Sequence, residues 1–127
     1  MTRKEDLAWT IANTIVSLKK LAASHEEQFE LLVKEDMGNC ADELALEFDD
    51  SFPVLKAQWE DAGLTKHQIE ALSAVDVLLG RMSGSKNAHL WTRKALENSE
   101  EWKQVRLLAA KALNLLPSEK NPARPAD

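Results

Sequence analysis

The stretch TKHQIEALSAVDVLLGRM (residues 65–82) carries the strongest helical pattern in the chain. It opens with a Thr-x-x-Gln capping box, in which each of the two side chains satisfies a free backbone N–H group of the first turn. Its apolar residues then recur at steps of three or four, the period of a helix with one buried face: Ile69, Leu72, Val75, Leu79 and Met82, widened by Val77 and Leu78. We therefore predict that this helix is the central one of the fold.

Two further helices are predicted at the start of the chain. The first helix opens at Thr2 or Arg3, and its apolar residues recur at helical spacing up to a stop at Ser24. Ser24-x-x-Glu27 is a second capping box, and it starts a helix that extends to about Met37. Gly38 ends that helix, because glycine readily takes the left-handed conformation of a helix C-cap.

The segment between Asn39 and Gly63 predicts two short helices separated by a break. The first is capped by Asn39 and ends near Phe48, because Asp49-Asp50-Ser51 interrupts the apolar run. The second begins at Pro53, since proline is tolerated in the first turn of a helix, and it ends at Gly63.

After the central helix the pattern predicts a short helix over residues 88–97 and a last helix from Ser99 to Leu116. The segment 117–127 is polar and rich in proline, so we expect a disordered tail there. No segment has the alternating pattern of a strand. The sequence thus predicts an all-α protein, a compact bundle of six or seven short-to-medium helices around one core, in a single domain over residues 1–116.

Composition limits the class of protein. A chain of 127 residues with 44% hydrophobic residues can bury a core without a disulfide or a structural metal. Its single cysteine, Cys40, cannot form an intramolecular disulfide, which fits a reducing compartment. The N-terminus lacks the layout of a signal peptide, and no apolar run is long enough to cross a bilayer. We expect a cytoplasmic protein.

The acidic residues are concentrated in the middle of the chain. Residues 26–61 contain twelve Asp or Glu and two Lys, a formal charge of −10, whereas the rest of the chain has fourteen Lys or Arg and nine Asp or Glu, a charge of +5. If the helices of this segment fold together, they form one strongly negative face. Such a face attracts a basic partner and is a poor surface for nucleic acid.

The four tryptophans are assigned by their position beside apolar stripes. Trp9, Trp91 and Trp102 are predicted to pack in the core. Trp59 is followed at once by Glu60 and Asp61, and an aromatic residue beside carboxylates is a candidate anchor for a binding partner.

Evidence for catalysis is sparse. The three histidines lie in different segments, and no arrangement of nucleophile and base or phosphate-binding loop is present, so no catalytic residue and no cofactor is predicted.

An alternative interpretation of the acidic segment is a metal-binding site. An EExxE pattern with Glu27 and Glu30, and an ExxD pattern with Glu47 and Asp50, resemble the Mg²⁺ motif of MazG-type nucleoside triphosphate pyrophosphatases. That resemblance implies these four carboxylates as ligands. Two departures from the motif are that Glu27 belongs to a capping box and that Pro53 falls where the second metal-binding helix would continue.

In its size, its acidity and its predicted all-α fold, the chain resembles bacterial immunity proteins, including those of contact-dependent growth inhibition systems. The resemblance implies a non-enzymatic protein that neutralises a cognate basic toxin, for example a nuclease domain, by offering carboxylates where phosphates would bind. An adaptor subunit of a larger assembly is the remaining alternative. We predict that the partner contacts the acidic segment, and that Asp49 and Asp50, in their predicted turn, are best placed to pair with an arginine. The predicted contact residues are Glu30, Glu35, Asp36, Asp42, Glu43, Glu47, Asp49, Asp50, Trp59, Glu60 and Asp61.

Overall fold

The computed structural model describes residues 3–34, 41 and 43–116. Within these residues the chain forms six α-helices and one 3₁₀ segment, and no strand. The helices are α1 (Arg3–Ala22), α2 (His25–Lys34), α3 (Glu43–Ala57), α4 (Lys66–Arg81), α5 (Arg93–Asn98) and α6 (Glu100–Leu115), and the 3₁₀ segment (Ser85–Trp91) lies between α4 and α5. The predicted all-α fold is confirmed. The predicted tail, residues 117–127, and the predicted end of the second helix lie outside the described residues.

The four longest helices form a bundle. Helix α1 packs against α3 and α6, and α4 packs against α6 and α3, so the pairs α1/α3 and α4/α6 make two opposite sides. One cluster of apolar side chains fills the interior, with Phe48, Leu72 and Trp102 completely buried. The short elements α2 and α5 contact each other beside the bundle. Among the described residues, no helix is both long and apolar enough to cross a membrane.

Helix starts follow local sequence signals. Both predicted capping boxes are present: the Glu27 amide donates to Ser24 Oγ over 3.2 Å, and the Thr65 amide donates to Gln68 Oε1 over 2.7 Å. Ser99 caps α6 by accepting from the Trp102 amide. Each side chain satisfies a backbone donor that the first turn of a helix leaves unpaired.

The largest departure from the sequence prediction is α3. The break predicted at Asp49-Asp50-Ser51 is wrong, because one helix runs continuously from Glu43 to Ala57 and contains Pro53 in its interior. The reason is long-range packing: Phe48 and Phe52 are buried on one side of this helix, with ring centroids 5.1 Å apart. Continuing the helix buries both rings, and this outweighs the local cost of proline.

Helices α1 and α6 are each packed more extensively than α4, so the prediction that α4 is central is wrong. The side of α1 that meets its neighbours buries three hydroxyl residues, Thr10, Thr14 and Ser17, in addition to leucines. The three hydroxyls donate to carbonyls of the preceding turn of α1, so none is left unpaired. Of the three, Thr14 contacts α3, where its Oγ1 lies 2.9 Å from Ser51 Oγ.

Candidate partner-binding groove

A groove of about 300 Å³ lies on the surface between α1 and α3. It combines apolar side chains that are exposed to solvent with carboxylates. Trp9 is 69% exposed, Val54 45% and Val16 41%, and the carboxylates are Glu47 and Asp50. The remaining lining residues are Thr10, Asn13 and Ser51. We refer to this surface as the α1/α3 groove.

Helical spacing places these residues on the groove. On α1, Trp9 and Val16 are seven residues apart and therefore lie on the same side, two turns from each other. On α3, Glu47, Asp50 and Val54 share one side for the same reason. The groove is thus built on two regular helices rather than on loops.

The floor of the groove is held by buried hydroxyl groups. Thr14 Oγ1 lies 2.9 Å from both Ser51 Oγ and the carbonyl oxygen of Thr10, so its one proton is shared between these two acceptors and links α1 to α3. Ser51 Oγ in turn donates to the carbonyl oxygen of Glu47 over 3.1 Å. Because both hydroxyls are buried and hydrogen-bonded, they fix the spacing of α1 and α3 below the exposed side chains.

The prediction that Trp9 packs in the core is wrong. The buried side of α1 passes through Leu7, Thr14 and Leu18, and Trp9 lies on the side turned away from it. The core assignment is confirmed for Trp102, which is completely buried and donates from Nε1 to the Leu90 carbonyl over 2.6 Å.

The other two tryptophans lie between these extremes. Trp91 is partly buried, packs against Trp102 with ring centroids 5.4 Å apart, and donates from Nε1 to the carbonyl of Met82. Trp59 is also partly buried and packs against the core. The tryptophan most open to solvent is therefore Trp9, which the apolar pattern of the sequence assigns to the core.

The carboxylates around the groove are unevenly paired. Glu47 accepts from Lys20 Nζ at 2.9 Å, with the glutamate side chain about half exposed at 52%. Beside the groove, partial burial raises the pKa of Asp49, and repulsion from Asp76 and then from Asp50 raises it further. Three carboxylates therefore share one region between α3 and α4, where a cation supplied by a partner would relieve their repulsion.

The structure brings together only part of the predicted contact set. Glu47 and Asp50 line the groove and Asp49 lies beside it on α3. The prediction that Asp49 and Asp50 lie in a turn is wrong, since both are within α3; they are nevertheless exposed. Glu35, Asp36 and Asp42 lie outside the described residues.

The remaining predicted residues lie elsewhere. Glu30 lies away from the groove, in a depression on α1 and α2 that it shares with Glu27 and with three lysines, Lys19, Lys20 and Lys34. Glu43 is in the first turn of α3, and Glu60 and Asp61 are exposed in the turn after α3.

The carboxylates of the alternative metal site are engaged separately. Glu27 Oε1 accepts from the Ser24 amide at 3.1 Å, and Glu47 Oε1 accepts from Lys20. In the part of the chain that the structure describes, no three His, Cys, Asp or Glu side chains come close enough to hold a metal ion. Glu27, Glu30, Glu47 and Asp50 are all within that part, so the geometry gives no support to their joint coordination of Mg²⁺.

Six groove residues are absent from the predicted contact set: Trp9, Thr10, Asn13, Val16, Ser51 and Val54. The apolar pattern assigns Trp9 and Val16 to a broad buried face of α1, and the seven-residue spacing between them is the signal that could have marked a second, exposed side.

Comparison with protein-family models, with curated proteins and with solved structures found no match to this chain.

Proposed function

We propose that this chain is a non-enzymatic binding protein that receives a basic segment of a partner protein in the α1/α3 groove, and that it acts as an immunity protein by covering the active surface of a basic toxin. The observation that carries the proposal is the exposure of Trp9, at 69%, in a groove whose other wall holds Glu47 and Asp50. A large aromatic side chain on the surface is a typical anchor of a protein interface.

The chemistry of the groove suits an arginine or lysine side chain. A guanidinium can stack on the indole of Trp9 and pair with a carboxylate such as Asp50 at the same time. Val16 and Val54 extend the apolar contact along the groove and would cover the methylene groups of a long basic side chain. An acidic partner would meet only repulsion from Glu47, Asp49 and Asp50.

The net charge supports a basic partner over longer distances. The chain carries a formal charge of −5, and two of its carboxylates, Glu47 and Asp50, line the groove itself. A field of this kind raises association rates by roughly 10- to 10³-fold and weakens as salt is added. A toxin that binds nucleic acid must present a basic surface to phosphate, so a nuclease domain is the partner class that best matches this groove.

The test is a titration against purified catalytic domains of bacterial nuclease toxins, some basic and some acidic, by calorimetry. Three variants are compared with the wild type: Trp9→Ala, Asp50→Lys and the matched control Glu26→Lys. Glu26 is exposed on α2 and lies outside the groove. We expect a basic domain to bind the wild type and the control equally, and to bind Trp9→Ala and Asp50→Lys at least tenfold more weakly, because a central anchor contributes about 2 kcal/mol or more.

Two outcomes contradict the proposal. If a domain binds the folded Trp9→Ala and Asp50→Lys variants as tightly as it binds the wild type, the groove is not the contact surface. If a domain binds in the groove but keeps its full nuclease activity in the saturated complex, binding is confirmed and the immunity function is refuted. The second outcome would leave an adaptor role for the same surface.

A further inference from the structure

A second apolar surface lies on the other side of the bundle, along α4 and α6. Two adjoining depressions of about 380 and 480 Å³ run between these helices and share Ala74 and Leu108 in their walls. Val77 is 50% exposed and Leu115 41% exposed in the same walls. Leu107, 63% exposed, lies on the same side of α6 because it follows the lining residue Gln104 by three positions. We call this surface the α4/α6 face.

Helix direction determines where the charges of this face lie. Gln68, near the start of α4, donates from Nε2 to the carbonyl of Leu115, at the end of α6, over 2.7 Å. The two helices are therefore antiparallel. Glu70 and Lys111 consequently lie at one end of the face, and Arg81 lies at the other.

The fourth charge is Glu100. Gln104 lines the face and donates to Glu100 Oε2 at 3.3 Å, which places Glu100 at the same end of the face as Arg81. Glu70 and Arg81 are eleven residues apart on α4, and Glu100 and Lys111 are eleven residues apart on α6. The four charges thus mark the corners of a rectangle in which neighbouring corners have opposite signs.

We propose that a second copy of this chain docks on the α4/α6 face to form a two-fold symmetric dimer. A two-fold rotation that brings two copies of the face together exchanges either the two ends or the two helices. If it exchanges the ends, Glu70 meets Arg81 of the second copy; if it exchanges the helices, Glu70 meets Lys111 of the second copy. Because neighbouring corners of the rectangle have opposite signs, each of these two carboxylates faces a cation of the second copy in both cases. The exposed apolar side chains of the two copies then meet in the middle of the interface.

The size of the face sets the strength of the dimer. Each helix has 16 residues, so the face is about 24 Å long and about 20 Å wide. A footprint of about 500 Å² on each copy is smaller than the roughly 800 Å² of a standard stable interface. The dimer should therefore dissociate in the micromolar concentration range. Because the face is on the opposite side of the bundle from the α1/α3 groove, this proposal and the proposed function can fail independently.

The first experiment is sedimentation equilibrium of the full chain from micromolar to millimolar concentration. The wild type is expected to pass from the 14.2 kDa of one chain to twice that mass. Val77→Glu should remain monomeric. Val33→Glu is the matched control, since Val33 is 53% exposed on α2, away from the face, and this variant should dimerise like the wild type. A wild type that stays monomeric at millimolar concentration, or a Val77→Glu variant that dimerises normally, overturns the proposal.

The second experiment tests the charge pattern itself. Glu70→Arg should weaken the dimer at least tenfold, because it places two cations opposite each other. Adding Arg81→Glu restores the dimer if the ends are exchanged, and adding Lys111→Glu restores it if the helices are exchanged. Rescue by one of these two combinations supports the proposal and selects the geometry. Failure of both, with helical circular dichroism preserved, overturns it.

Discussion

Replacing Gln28 with alanine is expected to destabilise the protein strongly, because this one polar side chain joins three helices. The Gln28 side chain is completely buried. Its Nε2 donates to the carbonyls of Lys20 and Leu21 over 3.1 and 3.0 Å, and its Oε1 accepts from Arg106 Nη1 over 3.0 Å. A residue of α2 therefore donates to two carbonyls in the last turn of α1 and accepts from α6 at the same point.

The magnitude follows from these three hydrogen bonds. Two neutral bonds contribute about 1 kcal/mol each and the bond from the charged Arg106 about 1.5 kcal/mol. Gln28→Ala should therefore lower the free energy of unfolding by about 3.5 kcal/mol and the melting temperature by roughly 10 °C. Urea denaturation followed by circular dichroism measures the first quantity. Gln104→Ala is the control: Gln104 is exposed, with one long hydrogen bond, and its loss should cost less than about 0.5 kcal/mol.

A double-mutant cycle separates the contribution of the Gln28–Arg106 hydrogen bond to stability from that of the other contacts of Gln28. Arg106 also donates to the carbonyl of Leu96, and burial lowers its pKa. The coupling free energy between Gln28→Ala and Arg106→Met should be about 1 kcal/mol. If Gln28→Ala costs no more than Gln104→Ala, or if the two substitutions are additive, this polar contact does not hold α1, α2 and α6 together.

Three further predictions concern stability. Pro53→Ala should raise the free energy of unfolding by about 2 kcal/mol in urea denaturation, because proline removes a hydrogen bond from the interior of α3 and its own side chain is exposed; an equal or lower stability would contradict this. Asp49→Asn should stabilise the protein at neutral pH by a few tenths of a kcal/mol, since repulsion and partial burial raise the pKa of Asp49 in the folded state. The gain should shrink as the pH falls through that raised pKa and vanish below the ordinary value of 3.8, where Asp49 is protonated in both states, so a gain that persists in acid would refute the cause given. Trp102→Phe should cost about 2 to 3 kcal/mol, because a buried indole loses packing and leaves the Leu90 carbonyl without its donor; a thermal melt close to that of the wild type would contradict this.

Local signals in the sequence were sufficient for the helical class and for several helix starts. The capping boxes at Ser24 and Thr65 depend on residues three positions apart, and both are formed in the structure. The interruption predicted at Asp49 failed because the continuity of α3 depends on burial of Phe48 and Phe52 against other helices. Leu44, Phe48, Phe52 and Leu55 nevertheless recur at steps of three or four across Asp49-Asp50-Ser51, so the sequence carries a helical signal there that the polar triplet masks.

The candidate groove was predicted only in part. Its carboxylates, Glu47 and Asp50, were found from charge alone. Its aromatic anchor was missed because hydrophobic periodicity assigns Trp9 to the buried side of α1, whereas that side is made partly of threonine and serine. Thr10 and Thr14 tolerate burial by donating to carbonyls one turn earlier, which a pattern of apolar residues does not reveal.

The most direct test of the proposed function is acrylamide quenching of Trp9 in free and toxin-bound protein. The difference between the wild type and Trp9→Phe isolates the signal of Trp9 from those of the other three tryptophans. In the free protein this signal should be strongly quenched, since Trp9 is 69% exposed. In a saturated complex with a basic nuclease domain, the quenching should fall to the level of a buried tryptophan. If Trp9 stays fully quenchable in the saturated complex, the α1/α3 groove is not where the partner binds.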